Sequence, residues 1–213
     1  MPTRTQWLGA VLLGLTLLLP DAFYLEAGSP QRTFPKTVLI IRHAEKPPEG
    51  NASVALSAQG KERAKTLHKL FKKDRPHPFP KPDYIFATHN SKHSHRPVET
   101  VTPLAKRLHL LINEDYSNAE KGTVKGKGKK AEPGMVELRQ RLLGDRHYHG
   151  KTVLICWHHG TIPELARLLG ATKCPTKWHG DTFDRIWQLT YDATGHVTFA
   201  DLPQHLLPGD STK

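Results

Sequence analysis

Apolar residues in this chain gather in short runs between long polar stretches, and the period inside each run names the element it forms. Thr37-Val-Leu-Ile-Ile41 and Thr152-Val-Leu-Ile-Cys-Trp157 run without polar alternation, which is the pattern of strands covered on both faces. Asp83-Tyr-Ile-Phe-Ala87 predicts another strand, and Leu110 to Ile112 a short one. Between them the spacing turns helical: Ala64, Leu67, Leu70 and Phe71 follow a Ser57 cap, and the Pro-rich stretch from Pro76 to Pro82 ends that helix. Val98, Val101, Leu104, Ala105 and Leu108 share one side of a helix starting near Ser94. Met135 to Leu143 and Thr161 to Leu169 predict two more, the second stopped by Gly170. Two alternating runs, Arg185 to Tyr191 and His196 to Ala200, flank Asp192-Ala-Thr-Gly195 and predict an antiparallel pair. Strands alternating with helices and closing in a hairpin predict an α/β fold, a three-layer α/β/α sandwich with a mainly parallel sheet.

The first 27 residues read differently. Arg4 precedes Trp7 to Leu19, a stretch apolar on every face, and Pro20, Ala22, Ala27 and Gly28 follow it. That layout is similar to a secretory signal peptide, and the run is shorter than the roughly 20 residues of a membrane-spanning helix. Residues 1–27 are therefore expected to be a signal peptide or uncleaved signal anchor, and residues 36–206 the folded domain. The protein is expected to be exported, whether periplasmic, secreted or held at a membrane by its signal.

The whole chain has 213 residues and a formal charge of +11, from 31 Lys and Arg against 20 Asp and Glu. Its length suits one domain. Its basicity implies attraction to anions without choosing among them. Cys156 and Cys174 are too few for a disulfide framework and lack zinc-ligand spacing. Lys121 to Lys130 (KGTVKGKGKK) cannot bury anything and reads as a solvated loop, with an anionic surface as its alternative partner. No specific nucleic-acid binding is expected, and the protein is expected to be a monomer or weak oligomer.

Candidate chemistry sits at two strand ends. Arg42-His43 directly follows the first buried run, and His158-His159 directly follows the run ending at Trp157. Ligands of open α/β sheets bind at the carboxyl ends of strands. An imidazole can attack phosphorus, and a neighbouring guanidinium offers forked donors that match phosphate oxygens.

Arg42-His43-Ala44-Glu45-Lys46-Pro47 resembles the RHG or RHAE signature of the histidine phosphatase (phosphoglycerate mutase-like) superfamily, in its branch 1 form. Leu56-Ser57-Ala58-Gln59-Gly60-Lys61-Glu62-Arg63-Ala64 is similar to that family's LS-x-x-G-x-x-RA segment. Arg96-Pro97-Val98-Glu99-Thr100 resembles its second-arginine motif, and Gly150 to Leu169 its second half-site. The resemblance implies a phosphatase whose His43 forms a phosphohistidine, while Arg42, Arg96 and a second histidine hold the phosphoryl group. Ungapped alignment gives the second role to His158; a WEH-type register gives it to His159, which is otherwise a neighbouring substrate contact or proton donor. Glu114 or Asp115 is the candidate general acid. The scheme implies a small phosphorylated substrate, no cofactor and no metal; the loop histidines His89, His93 and His95 match no strong ligand spacing. A phosphoryl-transfer mutase and a noncatalytic polyanion-binding protein are the competing readings.

Overall fold

The computed structural model describes Met1 and residues 34–75, 78–118 and 134–211. The rest of the expected signal segment and the basic loop 121–130 lie outside the described residues. Six strands form one sheet: β1 (Thr37–Arg42), β2 (Tyr84–Thr88), β3 (Ile112–Tyr116), β4 (Thr152–Trp157), β5 (Arg185–Tyr191) and β6 (Val197–Pro203). Their order across the sheet is β3-β2-β4-β1-β5-β6. The pairs β3-β2, β2-β4 and β4-β1 are parallel, whereas β5 pairs antiparallel with both β1 and β6.

Every residue of β1 and β4 is buried, because both occupy the middle of the sheet and helices cover both faces. Alternation along the strands then divides the core. Val38, Ile40, Val153, Ile155 and Trp157 face one layer, where they meet Met135, Leu138 and Leu142 of α3 (Met135–Gly144) and Ile162 and Leu165 of α4 (Ile162–Leu168). Leu39, Ile41, Leu154 and Cys156 face the other, against Leu67 and Leu70 and against Val101 and Leu104 of α2 (Arg96–Leu108). The result is the expected α/β/α sandwich.

Local boundaries moved where packing overrode pattern. The helix capped by Ser57, whose Oγ accepts from the Gly60 amide at 3.0 Å, is α-helical only over α1 (Ala58–Thr66) and tightens into a 3-10 turn over Leu67–Phe71. The short strand expected at Leu110 to Ile112 is instead β3, Ile112–Tyr116, and Leu111 before it is 93% exposed. An edge strand pairs on one side only, so it tolerates the polar run Asn113-Glu114-Asp115 that hides it from a hydrophobic reading. The chain after β6 is also tied in: the Asp210 carboxylate accepts from the Leu206 and Leu207 amides and pairs with Arg63.

Candidate active site

In-register pairing of two central parallel strands builds the site. Arg42 lies opposite Trp157, and the His43 amide donates to the Trp157 carbonyl at 3.0 Å. His43 and His158 therefore leave the same rim of the sheet side by side, their ring centroids 5.4 Å apart, close to the inter-strand spacing of about 4.8 Å. Thr88, the last residue of β2, hydrogen-bonds through Oγ1 to His158 Nε2 at 3.1 Å.

His43 is almost fully buried, and its Nδ1 lies 2.8 Å from the Ala44 carbonyl. A carbonyl only accepts, so Nδ1 carries the hydrogen and Nε2 keeps its lone pair. Burial, opposed by the bond to the Ala44 carbonyl and reinforced by the positive charges of Arg42 and Arg96 and by competition with His158 for a proton, lowers its pKa from 6.5 to about 3. Burial lowers His158 to about 4, with Arg96, His159 and Arg42 adding to the effect. Both rings are neutral at physiological pH.

Arg42 is buried beneath the loop that precedes β5. One terminal nitrogen donates to the carbonyls of Gly180 at 2.6 Å and Thr182 at 3.1 Å, and the guanidinium stacks 3.8 Å over the Phe183 ring. Its Nε is buried without a hydrogen-bond partner. Burial lowers its pKa to about 10, against the opposing pull of Asp181 and Glu45, so it stays cationic. An unmet donor in such a place costs about 1–3 kcal/mol and invites an anionic acceptor.

The remaining motif residues knit this rim together. The Ala44 amide donates to Thr100 Oγ1 at 2.9 Å, and the Leu56 amide to Glu99 Oε2 at 2.8 Å. Arg96 opens α2 and grips the loop before α1 through the Ser53 and Ala55 carbonyls at 2.8 and 3.2 Å. A Cβ at Gly60 would collide with the Glu45 carbonyl oxygen and sit 2.9 Å from the Glu45 amide nitrogen, so that position requires glycine. Behind it, Arg63 pairs with Glu45 at 2.7 Å and Asp210 at 2.8 Å, all three side chains nearly buried.

No family model matches the sequence, and no curated protein matches it. Among solved structures, mycobacterial glucosyl-3-phosphoglycerate phosphatase aligns with a TM-score of 0.50, covering 81% of this chain and 99% of that one at 15% identity. Phosphoglycerate mutase from Bacillus anthracis aligns with a TM-score of 0.50, covering 80% and 94% at 16% identity. The chain shares the α/β/α fold of these two structures.

Within this fold, Arg42, His43 and His158 converge on one rim, and the charge of Arg96 reaches both imidazoles. His159 is half-buried on the side of Arg42 and Lys46, whose charges lower its pKa after burial. Its Nε2 lies 3.7 Å from where a Gly180 side chain would begin.

Glu114 is not brought to the pair. Between the partners Phe86–Asn113 and Thr88–Tyr116 the ladder shifts register, so Glu114 and Asp115 together oppose Ala87 in an exposed bulge of β3. Both line a groove with Asp83 and Tyr84, whereas His158 lines a different cavity. The expectation placed these acids after the strand; the strand runs through them. Two contributors had no assigned role in the sequence reading, Thr88 and the loop 179–183. Thr88 was reachable by the same strand-end rule that found His43. The loop was not, since it acts largely through backbone carbonyls, which no side-chain pattern reports.

Proposed function

We propose that this protein is an exported member of the histidine phosphatase superfamily, a phosphohydrolase that cleaves phosphomonoesters through a phosphohistidine on His43. The observation that carries the reading is the state of that ring: Nδ1 is committed to the Ala44 carbonyl, burial keeps the imidazole neutral, and a second neutral imidazole stands beside it. The N-terminal signal-like run supports export.

In this reading the Nε2 lone pair attacks phosphorus, the P–O ester bond breaks, and the leaving oxygen departs as an alcohol, taking the proton carried by a monoanionic phosphate. Water then attacks the phosphohistidine, the P–N bond breaks, and the neutral ring returns. The unpartnered Nε–H of Arg42 meets the equatorial oxygens, where a fixed cation stabilises transition-state charge better than covalent assistance does, and the positive charge of Arg96, whose guanidinium grips the loop before α1, adds to the field there. His158, positioned by Thr88, borders the same oxygens. The stack on Phe183 and the bonds to the 179–182 carbonyls preset the Arg42 side chain, so little entropy is lost on binding.

The test is hydrolysis of p-nitrophenyl phosphate by purified protein and by His43→Ala. Loss of at least about 10³-fold in kcat is expected for removal of a nucleophile. Unchanged turnover in the variant would overturn the assignment.

A further inference from the structure

We infer that Gln204 is a positioning residue of this enzyme, a buried carboxamide that fixes the Phe183 ring against the Arg42 guanidinium; this rests on the phosphohydrolase reading above. Gln204 directly follows β6 and is 1% exposed, an unusual place for a side chain that normally faces water. The chemistry of its partners fixes which way the amide points. Arg63 only donates and backbone carbonyls only accept. Oε1 therefore accepts from Arg63 Nη1 at 3.3 Å, and Nε2 donates to the Phe183 and Arg185 carbonyls at 3.2 and 3.0 Å. The main chain of Gln204 is held as well: its amide donates to the Asp184 carbonyl at 2.7 Å, and its carbonyl accepts from Arg75 at 2.8 Å. Arg63 is in turn clamped by Glu45 and Asp210, so turning the carboxamide away would break a buried network.

What this residue holds is the wall against Arg42. The Phe183 ring lies 3.8 Å from the Arg42 guanidinium, and the preceding residue supplies the Thr182 carbonyl that accepts from the same side chain at 3.1 Å. That ring also stands 6.1 Å from the His43 imidazole. Phe183 and Asp184 lie just outside the sheet, whose β5-β6 ladder ends with Arg185 opposite Pro203. Gln204 extends the grip of the sheet to them, because its two amide groups bond the carbonyls of three consecutive residues, 183 to 185. The placement of Arg42 therefore depends on a residue that follows the last strand. Such placement matters steeply, since a shift of about 1 Å in a group that meets the reacting phosphoryl can cost about 10²-fold in rate. The influence of Gln204 on Arg42 runs through the Phe183 backbone and ring.

The test measures the dissociation constant of orthovanadate, an oxyanion that mimics the transferring phosphoryl group, by calorimetry, together with kcat on p-nitrophenyl phosphate. The proteins compared are wild type, Gln204→Met, Gln204→Glu, Phe183→Leu and the double variant Gln204→Met with Phe183→Leu. Gln204→Met keeps the length of the side chain and removes all its hydrogen bonds. Gln204→Glu keeps the acceptor toward Arg63 and removes both donors, and it carries the test should the first variant fail to fold. Each Gln204 variant should weaken vanadate binding by about tenfold, roughly one net hydrogen bond, with a matching fall in kcat. A loss of stability alone would lower the folded fraction and leave the dissociation constant of the folded molecules where it was. The double variant should bind vanadate within about twofold of the weaker single variant, because both changes act through one ring. Binding within about twofold of wild type in the folded Gln204 variants overturns the inference, as does unchanged binding in Phe183→Leu or full additivity in the double variant. A wild type that neither binds vanadate nor turns over the aryl phosphate overturns the hydrolase reading instead, and with it the role of Gln204.

Discussion

The buried imidazole pair makes the folded protein sensitive to mild acid, and the size of the effect follows from two numbers. Unfolded histidines take up a proton near pH 6.5, whereas His43 and His158 in the fold do so only near 3 and 4. A base whose folded pKa is depressed contributes no penalty above 6.5. As pH falls below 6.5 the unfolded chain binds protons that the folded chain refuses, so stability drops until pH reaches the folded pKa. One pH unit in that window corresponds to about 1.4 kcal/mol per site. From pH 7 to pH 5 each ring therefore costs about 2 kcal/mol, and the pair about 4 kcal/mol, out of a typical total of about 5–15 kcal/mol. The assay is urea unfolding of wild type, His43→Asn and His158→Asn at pH 7 and pH 5. Each variant should lose about 2 kcal/mol less than the wild type over that interval. Differences isolate the two rings from the other histidines, which titrate in every variant. If all three proteins lose the same stability between the two pH values, the rings are not held neutral by burial, and the lone pair assigned to His43 Nε2 loses its physical basis.

Other consequences of the geometry are open to direct measurement. Arg63→Met leaves the buried Glu45 and Asp210 carboxylates facing each other without their cation, and should cost about 3–5 kcal/mol in denaturant unfolding at neutral pH; a loss under about 1 kcal/mol would mean the cluster is solvated. Gly60→Ala drives a methyl group into the Glu45 backbone, so it should cost about 1–3 kcal/mol and also depress kcat, since the displaced segment carries the carbonyl that orients His43; a loss of stability with kcat intact would refute that coupling. His158→Ala should reduce kcat on an aryl phosphate more than His159→Ala does, because His158 is the ring beside His43; the reverse order would favour the other register.

Much of this protein could be read before folding. The unbroken runs of β1 and β4 announced central, doubly covered strands, and the residues just after them were legible as neighbours on one carboxyl rim, where parallel sheets present ligand sites. Ser57, Gly60 and Arg63 were legible as a motif, although their physical roles, a helix cap, a forced close approach to Glu45 and a buried ion pair, were not. Sequence failed where the determining contact is non-local or carried by backbone. β3 was misplaced because an edge strand needs only one bonded neighbour and can be polar, and Glu114, expected after the strand, lies within it. The carbonyls of residues 179–182 that hold Arg42 leave no trace in side-chain pattern.

The chain by itself thus determined which strands would be central and on which rim of the sheet Arg42, His43 and His158 would stand, since strand period and strand ends are local properties. Only the tertiary structure decided that His158 lies beside His43, that both rings are dry enough to stay neutral, and that Arg42 keeps a buried donor unspent. Those properties depend on register and burial, which exist only once distant segments have packed together.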